Sequence, residues 1–382
     1  MSDPFTIDGT AELEASLHGI CETVRREVST IVPQKKLAAI VLGGGYGRGE
    51  GGVLKTEAGD APYNDLEFYI FLKGNRLWHD YKFGKDLHDL GHQLSTDAGL
   101  SVEFKIDCVD RWRSGPVSMF SYDLVSGHRM VSGDEGIFSG CEHHRESNAI
   151  PLAEASRLLF NRCAGLLLVR EILRKPVPTE EDADFAVRNM AKVQLALGDV
   201  VLTAFGKYHW SVLERNRRLA KFVPPERPHW LPEVQSQYSH GVAFKLHPRR
   251  STKLEPTFET EYLRLVDLAK EVWLWLESRR LNEKFLTASD YALGAMDKWP
   301  GTAAWRNFCL TVKTFGPKAA VATHSGRYPR ARLFNALTLL LWNSNQVTQP
   351  PFLHRLQSEL HTNAADWPGL VTVFKRVWPA YG

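Results

Sequence analysis

LGGGYGRGEGG at residues 42–52, followed by NDLEFYIF at residues 64–71, decides the reading of this chain. Upstream, the apolar run AAIVL at 38–42 predicts a buried strand. Gly43, Gly44 and Gly45 then supply a backbone without Cβ atoms, which a phosphate can approach closely. The residues after this turn are expected to open a helix, whose free N–H groups and positive dipole end suit an anion. In the second segment Asp65 and Glu67 stand two apart, so a strand places both on one face. Adjacent carboxylates repel, and oxygen ligands around a divalent cation such as Mg²⁺ reconcile them. The run Phe68, Tyr69, Ile70, Phe71 predicts a strand buried on both faces, where acids are costly unless paired or metal-bound.

Taken in order, GGYGRGE and NDLEF resemble the glycine turn and acidic strand of the DNA polymerase β-like nucleotidyltransferase superfamily, written as GS, a short loop with ARGE-like residues, then SDLDL. On this resemblance Gly44 and Gly45 fall on the Gly-Ser pair and Arg48, Gly49 and Glu50 on the RGE. Asp65 and Glu67 fall on the two metal-binding carboxylates. Gly45 stands where the family has serine, so backbone N–H groups would serve the phosphate. Between Gly45 and Asp65 lie 19 residues, more than is usual there, which implies an insertion around residues 53–62. The resemblance also implies a third carboxylate on a neighbouring strand, as metal ligand or general base. In LSVEFKIDCVD, at 100–110, Glu103 is the first candidate and Asp107 the second, with Lys105 on the same strand face.

Each piece has a plainer reading. A glycine turn after a strand is more often a tight turn than a nucleotide site, and alternating acids can line a solvated edge. The conjunction of the two motifs favours the catalytic reading.

At 382 residues the chain can bury ample core, and two domains are expected. Five scattered cysteines argue against a disulfide framework. No apolar run reaches membrane-span length and no secretory signal is visible, which predicts a cytoplasmic protein without a membrane partner. The net charge of +3 hides an asymmetry. Residues 1–150 carry 15 Lys and Arg against 23 Asp and Glu, and the remainder 32 against 21. From Lys298 onward 10 basic residues face 2 acidic ones among several aromatics, a texture that can grip RNA or simply form helix cores with solvated faces.

Hydrophobic periodicity predicts helices at 12–31, 77–97, 152–173, 182–205 and 259–279, and strands at 37–42, 65–72 and 100–109. The expected fold class is α+β, a small mixed-sheet domain at 1–148 followed by an all-helical domain at 149–382. Residues 223–255 read as a surface excursion. This layout is similar to that of two-domain superfamily members such as the aminoglycoside nucleotidyltransferases, in several of which the helical domain supplies a lysine to the triphosphate. Lys192, on a stripe with Arg188 and Asp199, is the candidate here, and an ordinary exposed stripe is the alternative. Tyr208 could stack on a base or pack as a partly buried ring. His324, Arg327, Arg330 and Arg332 form the densest late basic cluster, with a solvated loop as the default reading.

The resulting expectation is a Mg²⁺- or Mn²⁺-dependent nucleotidyltransferase. It would move a nucleoside monophosphate, AMP by preference, from a nucleoside triphosphate, ATP by preference, to a small-molecule hydroxyl. An RNA 3′ end is the second acceptor and a protein side chain the third. A non-catalytic nucleotide- or RNA-binding protein is the reading from another class. Asp65, Glu67 and Glu103 would hold the metal, with Asp107 in reserve for the third acid. Gly44, Gly45, Arg48 and Lys192 would seat the phosphates.

Overall fold

The computed structural model describes residues 3–321 and 325–382. Helix α1 (Ala11–Ile31) starts where the Thr10 hydroxyl accepts a hydrogen bond from the Leu13 N–H, and it buries Leu13, Leu17, Cys21, Val24 and Val28 along one stripe. Strand β1 (Leu37–Leu42) leads through the glycines into α2 (Gly44–Gly47), a single helical turn, shorter than the glycine motif suggested. Strands β2 (Val53–Thr56) and β3 (Gly59–Pro62) pair as an antiparallel hairpin. That hairpin occupies the stretch where the resemblance implied an insertion. Strand β4 (Leu66–Leu72) follows, then α3 (Arg76–Ala98), capped by Asn75 and ended by Gly99 in the left-handed region. Strand β5 (Val102–Asp107), helices α4 (Val109–Arg113) and α5 (Met119–Ser126) and strand β6 (Arg129–Gly133) complete this part.

The sheet order is β5-β4-β1-β6. Strand β1 is antiparallel to β4 and β6, whereas β4 and β5 are parallel. Period-two alternation divides the side chains of β4 between two cores. Leu66, Phe68, Ile70 and Leu72 join the stripes of α1 and α3, while Tyr69 and Phe71 pack with Val41, Trp112, Leu124 and Phe138. Burial on both faces explains the continuous apolar run. Asp65 and Glu67 continue the Tyr69 face beyond its buried part.

The later chain is helical: α6 (Leu152–Leu173), α7 (Glu180–Ala204), α8 (Val212–Ala220), α9 (Leu231–Leu246) and α10 (Phe258–Leu281). It continues through α11 (Ala288–Leu293), α12 (Ala304–Phe315), α13 (Pro329–Trp342), α14 (Pro350–Leu360) and α15 (Trp367–Val377). The chain is thus α+β, with a small mixed sheet of four strands and a helical C-terminal region. Residues 223–255 are no surface excursion. Helix α9 lies within them and buries Leu231, Val234, Tyr238, Val242 and Leu246. Pro232 obscured the pattern, yet proline in a first turn forfeits no intrahelical hydrogen bond.

Two compact units divide the chain. The first comprises Met1–Glu154, Val201–Val223 and Ser239–Arg250, and the second Ala155–Val200, Pro224–Tyr238 and Ser251–Gly382. The sequence-based division after residue 148 lies near the first crossing, but two later segments return to the sheet unit. In the second unit α13 is the centre, with Phe334 against Phe160 and Trp273 at ring separations of 4.7 and 5.0 Å. Among the described residues no helix is long and apolar enough to cross a membrane.

Candidate functional site

The glycine turn is fastened to the acidic strand by its own backbone. The Gly43 N–H donates to the Glu67 carbonyl at 2.9 Å. Gly44 has φ +65°, and a Cβ there would stand 3.6 Å from Glu67 Oε2, so the turn runs beside that carboxylate. At Gly45 a Cβ would come within 3.0 Å of the Glu50 carbonyl oxygen. The backbone is drawn in here because the Glu50 N–H donates to the Gly45 carbonyl at 2.9 Å. This tight approach gives a physical reason for glycine where the resembled family has serine.

The carboxylates come from the parallel pair. Glu67 on β4 is in register with Glu103 on β5, and Phe71 with Asp107. Lys105 Nζ lies 2.9 Å from Glu67 Oε1 and 3.3 Å from Glu103 Oε2, so both acids converge on one cationic atom. The Tyr69 hydroxyl donates to Glu67 Oε2 at 3.3 Å. Burial, followed by the Glu67 charge, holds that phenol well above its ordinary pKa, so it stays a proton donor. Asp65 is exposed and immediately precedes β4. Asp107 serves elsewhere: its carboxylate accepts from the Cys108 N–H at 2.8 Å and the Trp112 indole N–H at 3.0 Å. Of the two candidates for third acid, the strand register therefore puts Glu103, and not Asp107, opposite Glu67.

Among the described residues no set of three or more His, Cys, Asp or Glu side chains is gathered as a metal site. The pair Glu67 and Glu103 nevertheless suits Mg²⁺ in kind, because this ion is commonly held by one or two carboxylates together with substrate phosphates. Their convergence on the Lys105 ammonium shows that both reach a single positive centre.

Positive charge gathers behind the glycine turn, within the same unit. Arg48 Nη1 is 3.3 Å from Asp123 Oδ2, and the Tyr208 hydroxyl donates to that same oxygen at 3.2 Å. Arg215 Nη1 donates to the Tyr208 hydroxyl at 2.8 Å and to the His209 carbonyl at 2.8 Å. Tyr208 is thus a buried link in a polar chain, which decides its role against base stacking. Lys245, in the last turn of α9, is lowered to about 8 by burial and then by Arg48 and Arg215, with Glu50 and Asp123 opposing. Its ammonium makes no hydrogen bond or ion pair among the described residues.

Glu50 is tied to the start of α8. Its buried carboxylate accepts from Ser211 Oγ at 2.5 Å, Val212 N at 2.8 Å and Leu213 N at 3.3 Å. It therefore satisfies the free donors at the start of α8 and meets the positive end of that helix. The acid of the RGE motif holds structure together, while Arg48 beside it faces the cluster. A cavity of about 320 Å³ adjoins Arg48 and is lined also by Gly127, His128, Arg129 and Trp210.

Comparison with protein-family models, curated proteins and solved structures returned no match.

Of the residues read from the sequence, Gly44, Gly45, Arg48, Glu67 and Glu103 lie in this one unit, with Asp65 at the strand's start. Lys192 is exposed on α7 in the second unit, and the cations gathered with Arg48 in the first are Arg215 and Lys245. Neither carried a sequence signal: Arg215 is one of several basic residues in α8, and Lys245 lies in the stretch that reads as a surface excursion. Asp199, read on the same exposed stripe as Lys192, is buried and accepts from the Tyr238 hydroxyl at 2.7 Å. The late basic cluster is no solvated loop. Arg332 is fully buried in α13 and Arg330 donates to the Tyr381 carbonyl at 2.6 Å, while Arg327 donates to the Ala295 carbonyl; His324 falls outside the described residues.

Proposed function

We propose that this chain is a metal-dependent nucleotidyltransferase that moves a nucleoside monophosphate, AMP by preference, from its triphosphate to a small-molecule hydroxyl. The observation that carries the reading is the convergence of the Glu67 and Glu103 carboxylates beside Gly44. Glu67 and Glu103, with Asp65 at the entry of the strand, would hold Mg²⁺ or Mn²⁺. When bound, that ion would neutralise charge on the transferred phosphoryl group.

Gly45 is buried, so the half-buried backbone at Gly44 is the part of the turn that the phosphates would approach, and Arg48 and Lys245 would supply positive charge, with Arg215 adding to the field. Glu103 lies on the edge strand with its side chain 48% exposed, so an acceptor can reach it. It would take the proton of the acceptor hydroxyl as the new O–P bond forms. The bond between the α- and β-phosphates breaks, and pyrophosphate leaves. A small-molecule acceptor is preferred on the domain layout of the resembled enzymes. The engagement of Arg327, Arg330 and Arg332 with the protein itself weakens the case for an RNA grip.

One observation favours a second reading, a nucleotide-binding protein without turnover: Lys105 already neutralises part of the acidic pair. Incubation with each of the four ribonucleoside triphosphates and Mg²⁺, with a metabolite fraction or bulk tRNA as acceptor, separates the readings. Pyrophosphate released with the metabolite fraction and lost in Asp65→Ala supports the transferase. Label on tRNA changes the acceptor, and silence with every pool leaves the second reading.

A further inference from the structure

The Lys105 ammonium stands between the paired acids, 2.9 Å from Glu67 Oε1 and 3.3 Å from Glu103 Oε2. Lys105 stands two residues after Glu103, so the alternation of β5 brings it to the same face, and the parallel register brings Glu67 to that place. Its Nζ also lies 5.5 Å from the centroid of the Tyr69 ring, which adds a weaker attraction. Two negative charges meet one positive charge, leaving a net charge of −1 that still attracts a dication. A metal ion at the same oxygens would sit against the ammonium at a few ångströms, where like charges repel strongly.

We propose that Lys105 is a built-in competitor for the divalent ion at Glu67 and Glu103, an inference that rests on the metal-dependent reading above. The side chain can leave its place without unfolding anything. It is 42% exposed on an edge strand, and its flexible stem carries the charge into solvent. The site therefore alternates between an ammonium-closed state and a metal-loaded state. Free metal is held weakly until Lys105 withdraws, and the charge of Lys105 sets the metal concentration at which the site fills.

The test is a Mn²⁺ titration without nucleotide, following free Mn²⁺ by electron paramagnetic resonance in the wild type, Lys105→Ala, Lys105→Arg and Glu67→Gln. Lys105→Ala is expected to bind Mn²⁺ about tenfold more tightly or better, because one repelling charge is gone. Lys105→Arg should stay near the wild type, and Glu67→Gln should bind more weakly than either. Equal affinity in the wild type and Lys105→Ala, with loss in Glu67→Gln, overturns the competitor and leaves the metal site standing. An absence of Glu67-dependent binding in both the wild type and Lys105→Ala overturns the competitor and the metal reading together.

Discussion

Glu67 and Glu103 stand opposite one another on two parallel strands, each within 3.3 Å or less of the Lys105 ammonium. Asp107, four residues along the same strand, is instead consumed by the Cys108 N–H and the Trp112 indole. The two acids should therefore separate by mutation. Glu103→Gln is expected to lower kcat about 10²–10⁴-fold, the usual worth of a general base, with the melting temperature little changed. Asp107→Asn should keep turnover near the wild type and lose about 1 kcal/mol of stability, as one hydrogen-bond acceptor becomes an amide. Steady-state kinetics alongside urea denaturation reads both.

Lys245 predicts a pH dependence. Its folded-state pKa of about 8 lies below the ordinary lysine value of 10.5. Below about 8 the side chain is charged in both the folded and unfolded states, and on the proposed function it would contribute charge to phosphate binding. Between about 8 and 10.5 the unfolded chain binds more protons, so this group makes folding stability rise with pH, while any attraction it has for phosphate would fade. Triphosphate affinity measured by calorimetry should weaken as pH climbs through about 8. Lys245→Arg, which keeps its charge, should flatten that profile.

Placing the serine of the resembled family at position 45 should fail to raise the proposed activity. A Cβ there meets the Glu50 carbonyl at 3.0 Å, and the obstacle is backbone that is itself hydrogen-bonded to Gly45. Gly45→Ser is expected to cost about 1–3 kcal/mol in urea denaturation, as overpacking does, and to lower turnover.

Glu50 is expected to behave as a structural acid. Its carboxylate serves three donors at the start of α8, and Glu50→Gln removes one charged acceptor facing a helix N-terminus. A loss of about 1–3 kcal/mol is predicted, with protease sensitivity appearing in the segment around Ser211.

The sheet could be read from the sequence because its signals are local. The apolar runs at β1 and β4, the glycines between them and the Glu103 alternation each announce themselves within ten residues. Pairing is different, since only the strand register brings Glu103, and not Asp107, opposite Glu67. The cations were hidden for the same reason. Arg215 and Lys245 lie about 170 and 200 residues after the glycine turn, and chain segments Val201–Val223 and Ser239–Arg250 return to the sheet unit without any local mark of doing so. Lys192 looked equally suitable on helical periodicity alone. The α9 helix was missed because Pro232 reads as a breaker unless it is known to stand in the first turn.

Two labels distinguish which phosphate bond breaks. ATP labelled at the α-phosphate and ATP labelled at the γ-phosphate are incubated in parallel with the protein, Mg²⁺ and the metabolite fraction. α-Label is expected on an acceptor and γ-label in pyrophosphate, with both lost in Glu67→Gln. Transfer of the γ-label to an acceptor, or no movement of either label by the wild-type protein, would contradict the proposed transfer.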